Sequence, residues 1–304
     1  TLYEAEGGYV SQKSRVPVFS SAKIAPAGET FQNPKIIAFD IETYSTEDRI
    51  DFDANPILML ALYHENYKKV FVWKKFPADG NFIEFVGSET ELLERFRQAL
   101  GQLNPDLLVG YYSDSFDMAY IKRRAEINKV NLDIGLDHSD IKLGKGTNDS
   151  ASITGISHID IYKFIRKIMP GMDSYSLGNV SSRLLGQKKH EVNLDELPKA
   201  WDSNKELDKF ASYNLQDAAL TYSLADKMLP TMIEMVKIIG LPIFDIARMG
   251  FSQLVEYYIF KQAPSFNEVA PNKPGNNEVM RRRMQTYGGA FVFEPKPGLY
   301  KDIT

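Results

Sequence analysis

Lys35-Ile-Ile-Ala-Phe-Asp-Ile-Glu-Thr-Tyr44 is the stretch on which the reading of this chain turns. Its apolar run from Ile36 to Phe39 gives way to polar residues at Asp40, Glu42 and Thr43, the pattern of a buried strand that ends at a polar edge. Side chains at i and i+2 of a strand lie on one face, so Asp40 and Glu42 project together. Two adjacent carboxylates repel each other unless a cation sits between them. Hard divalent ions such as Mg²⁺ and Mn²⁺ prefer oxygen ligands, and two of them about 3.5–4 Å apart can activate water and stabilise the leaving oxygen of a phosphodiester. Two ions call for more than two carboxylates.

Two further acids are candidates to meet that need. Asp117 closes Ser113-Asp-Ser-Phe-Asp117, shortly after the strand-like Asp106-Leu-Leu-Val-Gly110. Asp217 closes Tyr213-Asn-Leu-Gln-Asp217. On a helix Tyr213 and Asp217 are i and i+4, so a phenol and a carboxylate share one face, and the hydroxyl is placed to orient an attacking water.

Outward from these residues the chain reads as an α/β protein. Ile57 to Tyr63 and Val70-Phe-Val-Trp73 continue the sheet as a meander, joined by a turn over 64–69. Glu89 to Leu103 has helical spacing at Leu92, Leu93, Phe96, Leu100 and Leu103, and a strand follows it at 106–110. Residues 131–157 have the composition of a long loop or exposed hairpin, and order resumes over Ile159 to Ile165. Ser203 with Glu206 has the form of a capping box opening a helix toward Met228. An apolar helical stretch continues beyond Pro230 to Phe260, until Pro264, Pro271, Pro274 and Gly275 mark a boundary. Residues 1–34 read as an irregular lead-in.

Several motifs together resemble family B DNA polymerases. Phe39-Asp-Ile-Glu-Thr43 resembles the first exonuclease motif of that family, Val109 to Ala125 the second, and Tyr213 to Asp217 the third. His158-Ile-Asp-Ile-Tyr162, the segment Asp173 to Gly186 and Tyr287-Gly-Gly289 also match its pattern, so the resemblance runs from about residue 35 to 304. It implies a ribonuclease H-like mixed sheet flanked by helices and a four-carboxylate 3′→5′ proofreading exonuclease, in the branch with tyrosine in the third motif. By that analogy Asp40, Glu42, Asp117 and Asp217 hold two Mg²⁺ or Mn²⁺ ions, Tyr213 positions the water, and Phe116 contacts the terminal base.

The resemblance also implies an organisation. Residues 1–34 would be a remnant of an amino-terminal domain, 35–229 the exonuclease domain, 230–270 a helical segment returning to the amino-terminal domain, and 271–304 the start of the palm. The palm's own aspartates come later in that family, so no polymerase activity is expected of these residues alone, and a fragment or one subunit of a split polymerase is expected. The partners implied are a single-stranded or frayed primer 3′ end, the remaining palm, fingers and thumb, and a sliding clamp. A cytoplasmic, nucleoid-associated location goes with them. One departure stands out: where the family usually has asparagine in the second motif, this chain has Tyr112, an aromatic that either stacks on a base or packs inside.

Composition narrows the alternatives. With 304 residues, 43% hydrophobic and 12% aromatic, the chain can build a substantial core. Its 36 basic and 40 acidic residues give a formal charge of −4, so any contact with DNA is local rather than a general basic footprint. The absence of cysteine excludes disulfides, thiolate metal sites and a cysteine nucleophile. The longest apolar run, Ile57 to Tyr63, falls far short of the roughly 20 residues of a membrane span. The sequence begins at Thr1 with no signal-peptide pattern, which fits a processed or trimmed chain.

Lys122-Arg-Arg124 and Arg281-Arg-Arg283 are the compact basic groups suited to backbone phosphates, against a plain reading as solvated helix faces. Arg281 and Arg282, with Tyr287, Gly288, Gly289, Tyr112 and Phe116, make up the DNA-contact set. Two rival functions remain, a catalytically silent DNA-binding or assembly module and an exonuclease acting on RNA. Retention of all four carboxylates opposes the first, and the family-like 158–186 segment and Tyr-Gly-Gly element oppose the second.

Overall fold

In the computed structural model the described residues are 3–10, 18–26, 33–45, 51–78, 80–144, 149–189, 192–272, 274–285 and 298. By its internal contacts the chain divides into residues 1–259 and residues 260–304. The first unit opens with an antiparallel pair, β1 (Tyr3–Val10) and β2 (Val18–Pro26), with an irregularity at Glu6/Gly7 and the rings of Tyr9 and Phe19 meeting edge-on at 5.2 Å. This pair replaces the irregular lead-in expected from composition. Gly7, Gly8 and the serines carry little side-chain alternation, so the pairing that makes these strands is not visible locally.

The central sheet is built from β3 (Ile36–Thr43), β4 (Ile57–His64), β5 (Tyr67–Val72) and β6 (Ile83–Phe85), then β7 (Leu107–Gly110) after helix α1 (Glu89–Leu103). Helix α2 (Asp117–Asn128) and a short hairpin of β8 (Lys142–Gly144) and β9 (Ser150–Ser152) lead to β10 (Ser157–Asp160). The strand order is β10-β7-β3-β4-β5-β6. β3, β7 and β10 run parallel, whereas β3, β4 and β5 form the expected antiparallel meander.

Alternation along β3 sorts the two faces. Ile37, Phe39 and Ile41 join Leu60, Leu62, Phe71 and Leu108 beneath α1 and α2, where Leu92, Phe96, Tyr120 and Ile121 complete one core. Ile36 and, on β7, Val109 face the other way. They pack with residues of α3 (Ile161–Ile168), α4 (Leu177–Leu185) and α6 (Leu207–Ile239). Met59, Ala61, Val70 and Val72 pack on this side with α5 (Leu197–Ser203) and the start of α6, including Trp201 and Phe210. Each fully buried large side chain contributes about 1.5–3 kcal/mol, so these layers supply the main driving force.

Two boundaries differ from the sequence reading. Ser203 does not cap α6: Asn204, in the left-handed region at φ 56°, ends α5 directly after it, and the Ser203 hydroxyl donates back to Lys199 O at 2.7 Å. The start of α6 is set instead by the burial of Leu207, Phe210 and Ala211. Nor is the helical stretch beyond Pro230 continuous to Phe260: α6 runs through the proline to Ile239 and ends at Gly240, in the left-handed region at φ 87°. Pro230 and Asp226, whose carbonyl the proline leaves without its helical donor, both lie on the exposed side, while Met228, Leu229 and Met232 are buried. Packing there outweighs a proline penalty of about 3 kcal/mol. Past Gly240 the chain continues as α7 (Ile243–Arg248) and α8 (Phe251–Gln262). In the second unit α9 (Asn276–Met284) carries Arg281 and Arg282, both ion-paired with Glu278. Tyr287, Gly288 and Gly289 lie outside the described residues.

The basic run Lys122-Arg-Arg124 holds α2 in place. Lys122 pairs with Asp140, and Arg123 with Asp53 and Glu126. Arg124 is buried, its guanidinium meeting Glu89 in a two-pronged pair at 2.8 and 2.6 Å and reaching Asp53 O at 2.7 Å. Glu89 also accepts from Ile57 N at 2.8 Å and from Asn128 Nδ2 at 2.9 Å, which ties α1, α2 and β4 together. Removing one partner of such a pair strands a buried charge. Arg124→Ala is expected to lower unfolding free energy in denaturant titrations by about 3–5 kcal/mol. Arg123→Ala is expected to stay within about 0.5 kcal/mol of the parent.

Candidate active site

The polar end of β3 meets the middle of α6. Asp40 and Glu42 share the face of β3 turned toward that helix, and oxygen atoms of Asp40, Glu42 and Asp217 all lie within 4.8 Å of one another. Glu42 and Asp217 are buried and Asp40 is partly exposed, so the cluster opens to solvent at one side. Asp117 stands at the first position of α2, also buried. It is not one of these three mutually close groups, yet its charge reaches both Asp40 and Glu42.

Electrostatics record the crowding. Burial, reinforced by Asp217, raises the Asp40 carboxyl well above its ordinary value. Burial and Asp217 push Glu42 up to about 8. Burial pushes Asp117 up to about 7, although backbone N–H groups of Asp117 and Ile41 oppose the shift. Asp217 rises less, to about 6, because burial is countered by Lys189.

Lys189 is the residue that sequence reasoning missed. Lys189 Nζ lies 2.6 Å from Asp217 Oδ2 and 4.3 Å from the centre of the Tyr213 ring. It follows α4 without any periodic signal and is 28 residues from Asp217 in sequence, so only the fold brings it in. Asn214 was also missed. Its Nδ2 donates to Asp40 Oδ2 at 2.7 Å, holding that carboxylate in place. Its position, three residues before Asp217 on the same helix, was a signal that could have been read.

Asn214 Oδ1 and Asp217 Oδ1 are buried without hydrogen-bond partners. Unpartnered oxygen atoms, three close carboxylates and an all-oxygen donor set suit a hard divalent cation. Tyr213 is buried on the same face of α6, and burial raises its hydroxyl to about 12, which keeps it protonated and able to donate.

The remaining second-motif residues have mixed placements. Phe116 is half-buried, its ring edge-on to Phe52 at 6.1 Å and to Tyr120 at 5.4 Å, as part of the core that seats α2. Tyr112 is not the interior packing residue that was one of its two readings: it is 49% exposed, edge-on to Tyr162 at 5.2 Å. Its φ of 63° is left-handed, a conformation in which asparagine is enriched and tyrosine is not.

Comparison with known proteins agrees with this geometry. A family model described as DNA polymerase family B, exonuclease domain, matches residues 12–180. The chain is 35% identical over 270 residues to the DNA polymerase of Pyrococcus glycovorans, an alignment covering 88% of this chain and 34% of that protein. It is equally 35% identical over 270 residues to the DNA polymerase of Thermococcus kodakarensis, of which it spans 16%. The solved structure of the family B DNA polymerase from Pyrobaculum calidifontis superposes with a TM-score of 0.75 at 26% identity, covering 98% of this chain and 37% of that one. With a family model matching more than half its length, this chain belongs to the exonuclease domain of family B DNA polymerases.

Proposed function

We propose that this chain removes nucleotides from the 3′ end of single-stranded or frayed DNA, releasing nucleoside monophosphates. The observation that carries the proposal is the meeting of Asp40, Glu42 and Asp217 within 4.8 Å, beside Asp117 at the start of α2. These four acids would hold two divalent cations, Mg²⁺ or Mn²⁺. When bound, such ions activate water and stabilise the departing 3′ oxygen. Tyr213 would donate a hydrogen bond that orients the attacking water, and Asn214 would keep Asp40 from turning away. Lys189 would hold Asp217 and supply positive charge beside the scissile phosphate.

DNA would enter across the open side of the cluster, with Tyr112 and Phe116 nearest the terminal bases. Arg281, Arg282 and the Tyr287-Gly288-Gly289 element remain DNA-contact proposals from sequence alone. The palm, fingers and thumb, in the same chain or a separate subunit, would supply the polymerising function, with a sliding clamp as a further partner and the nucleoid as the setting. Among the described residues no helix is long and apolar enough to cross a membrane.

The direct test is degradation of 5′-labelled single-stranded DNA with Mg²⁺ or Mn²⁺. The parent is expected to give a ladder shortening from the 3′ end, abolished by EDTA and reduced at least about a thousandfold in Asp40→Ala/Glu42→Ala. Tyr213→Phe, which removes one hydrogen bond to the water, is expected to lose about 10²-fold in kcat. An intact fold that degrades nothing would replace this reading with that of a silent module, and equal degradation of RNA would overturn the preference for DNA.

Linkage gives a second, activity-independent test. The site carboxyls titrate higher in the folded chain than in the unfolded one, so the metal-free fold binds more protons there. Their contribution to stability is therefore complete below about pH 4 and is lost as pH rises through about 6 to 8. A divalent cation must displace those protons. The rise in Tm produced by 5 mM Mn²⁺ is accordingly expected to grow between about pH 6 and pH 8, and to vanish in Asp40→Ala/Glu42→Ala, as followed by thermal unfolding.

A further inference from the structure

Asp114 lies three residues before Asp117 and is completely buried. Its carboxylate is met by Arg248 at both oxygens, with Nε 2.9 Å from Oδ2 and Nη2 2.7 Å from Oδ1. Lys163 Nζ is 2.9 Å away, Ala151 N donates at 2.8 Å, and His158 Nδ1 lies at 3.3 Å. One acid thus collects donors from α7, α3, β9 and β10. Burial opposes its ionisation, but hydrogen bonds from His158 and Arg248 prevail and hold its carboxyl far below the usual range.

Arg248 is itself held rigidly. It is nearly buried, its guanidinium stacks 3.7 Å over the Phe244 ring, and Nη1 donates to His158 O at 3.1 Å and Phe244 O at 3.0 Å. The backbone of the Asp114 loop is pinned in the same place. Asp160 accepts from Tyr112 N at 2.9 Å and Asp114 N at 3.2 Å, and Ser113 O accepts Met118 N at 3.0 Å in the first turn of α2. Asp40, Glu42 and Asp217 are carried by β3 and α6, whereas Asp117, the first residue of α2, directly follows this loop.

We propose that Arg248 is a positioning residue for the nuclease, acting through Asp114 to set where the Asp117 carboxylate stands against the other three acids. This rests on the reading of the site as a two-cation nuclease. Loss of the guanidinium would leave Asp114 short of its two-pronged donor, let residues 112–117 relax, and withdraw Asp117 from its ion while the three-acid group persists. Lysine would keep the charge but not the fork, so it would restore the fold without restoring the geometry.

The test uses the full chain with Arg248→Ala and Arg248→Lys beside the parent and Asp40→Ala/Glu42→Ala. Both Arg248 variants are expected to lose about 10–100-fold in kcat on single-stranded DNA. KM should change less than threefold, and Mn²⁺ bound, counted by paramagnetic resonance of the free ion, should fall from two to one. Guanidinium ion should restore part of the activity of Arg248→Ala. If Arg248→Ala fails to fold, Arg248→Lys decides. Two bound Mn²⁺ and parental kcat in a folded Arg248 variant overturn the inference, as does a loss of kcat that merely tracks the unfolded fraction. A parent that neither binds Mn²⁺ nor degrades DNA, by contrast, would sink the nuclease reading itself.

Discussion

Everything in this molecule that bears on function depends on holding like charges together out of water. Asp40, Glu42 and Asp217 stand within 4.8 Å of one another between a strand and a helix. Left to themselves, such groups would separate or take up protons. They stay because the surfaces that carry them have no freedom to part. β3 is hydrogen-bonded on both sides, by β4 and β7, and α6 presses Phe210, Ala211, Ala218, Leu220 and Leu224 into the cores beneath it. The apolar burial that folds the domain thus supplies the force that keeps the acids in register.

Two polar contacts relieve the strain without cancelling it. Asn214 donates to Asp40, and Lys189 pairs with Asp217 while lying over the ring of Tyr213. Both leave acceptor oxygens unused on Asn214 and Asp217. A site with spare buried acceptors and protons held above their ordinary range is poised to exchange those protons for a hard cation. The Asp114 cluster works in the opposite sense. There one acid is surrounded by donors from four elements, and the result is a rigid loop rather than a reactive site.

Much of this is legible in the sequence. The apolar run ending in Asp40 and Glu42 identified the central strand, because a side-chain period of two puts both acids on one face. The spacing from Tyr213 to Asp217 placed a phenol and an acid on one helical face, and α1 begins and ends at the residues its periodicity indicated. Signals that rest on local pattern fared less well where tertiary packing competes. Ser203 and Glu206 have the form of a cap, but Asn204 ends the preceding helix between them. The apolar stretch beyond Pro230 has the form of one helix to Phe260, but Gly240 ends α6 within it.

The sequence by itself determined the kinds of residue at the site, the strand and helix that carry them, and the family to which their order belongs. Those properties follow from backbone periodicity and residue chemistry, which act over a few positions. Only the tertiary structure decided which cation answers the acids, because Lys189 comes from a segment with no pattern and arrives through the packing of α4 on α6. It also decided that Arg124 is a structural partner of Glu89 rather than a phosphate ligand, and that Tyr112 stands exposed on a left-handed turn. A charge declares its partner only when the fold has fixed which groups lose their water together.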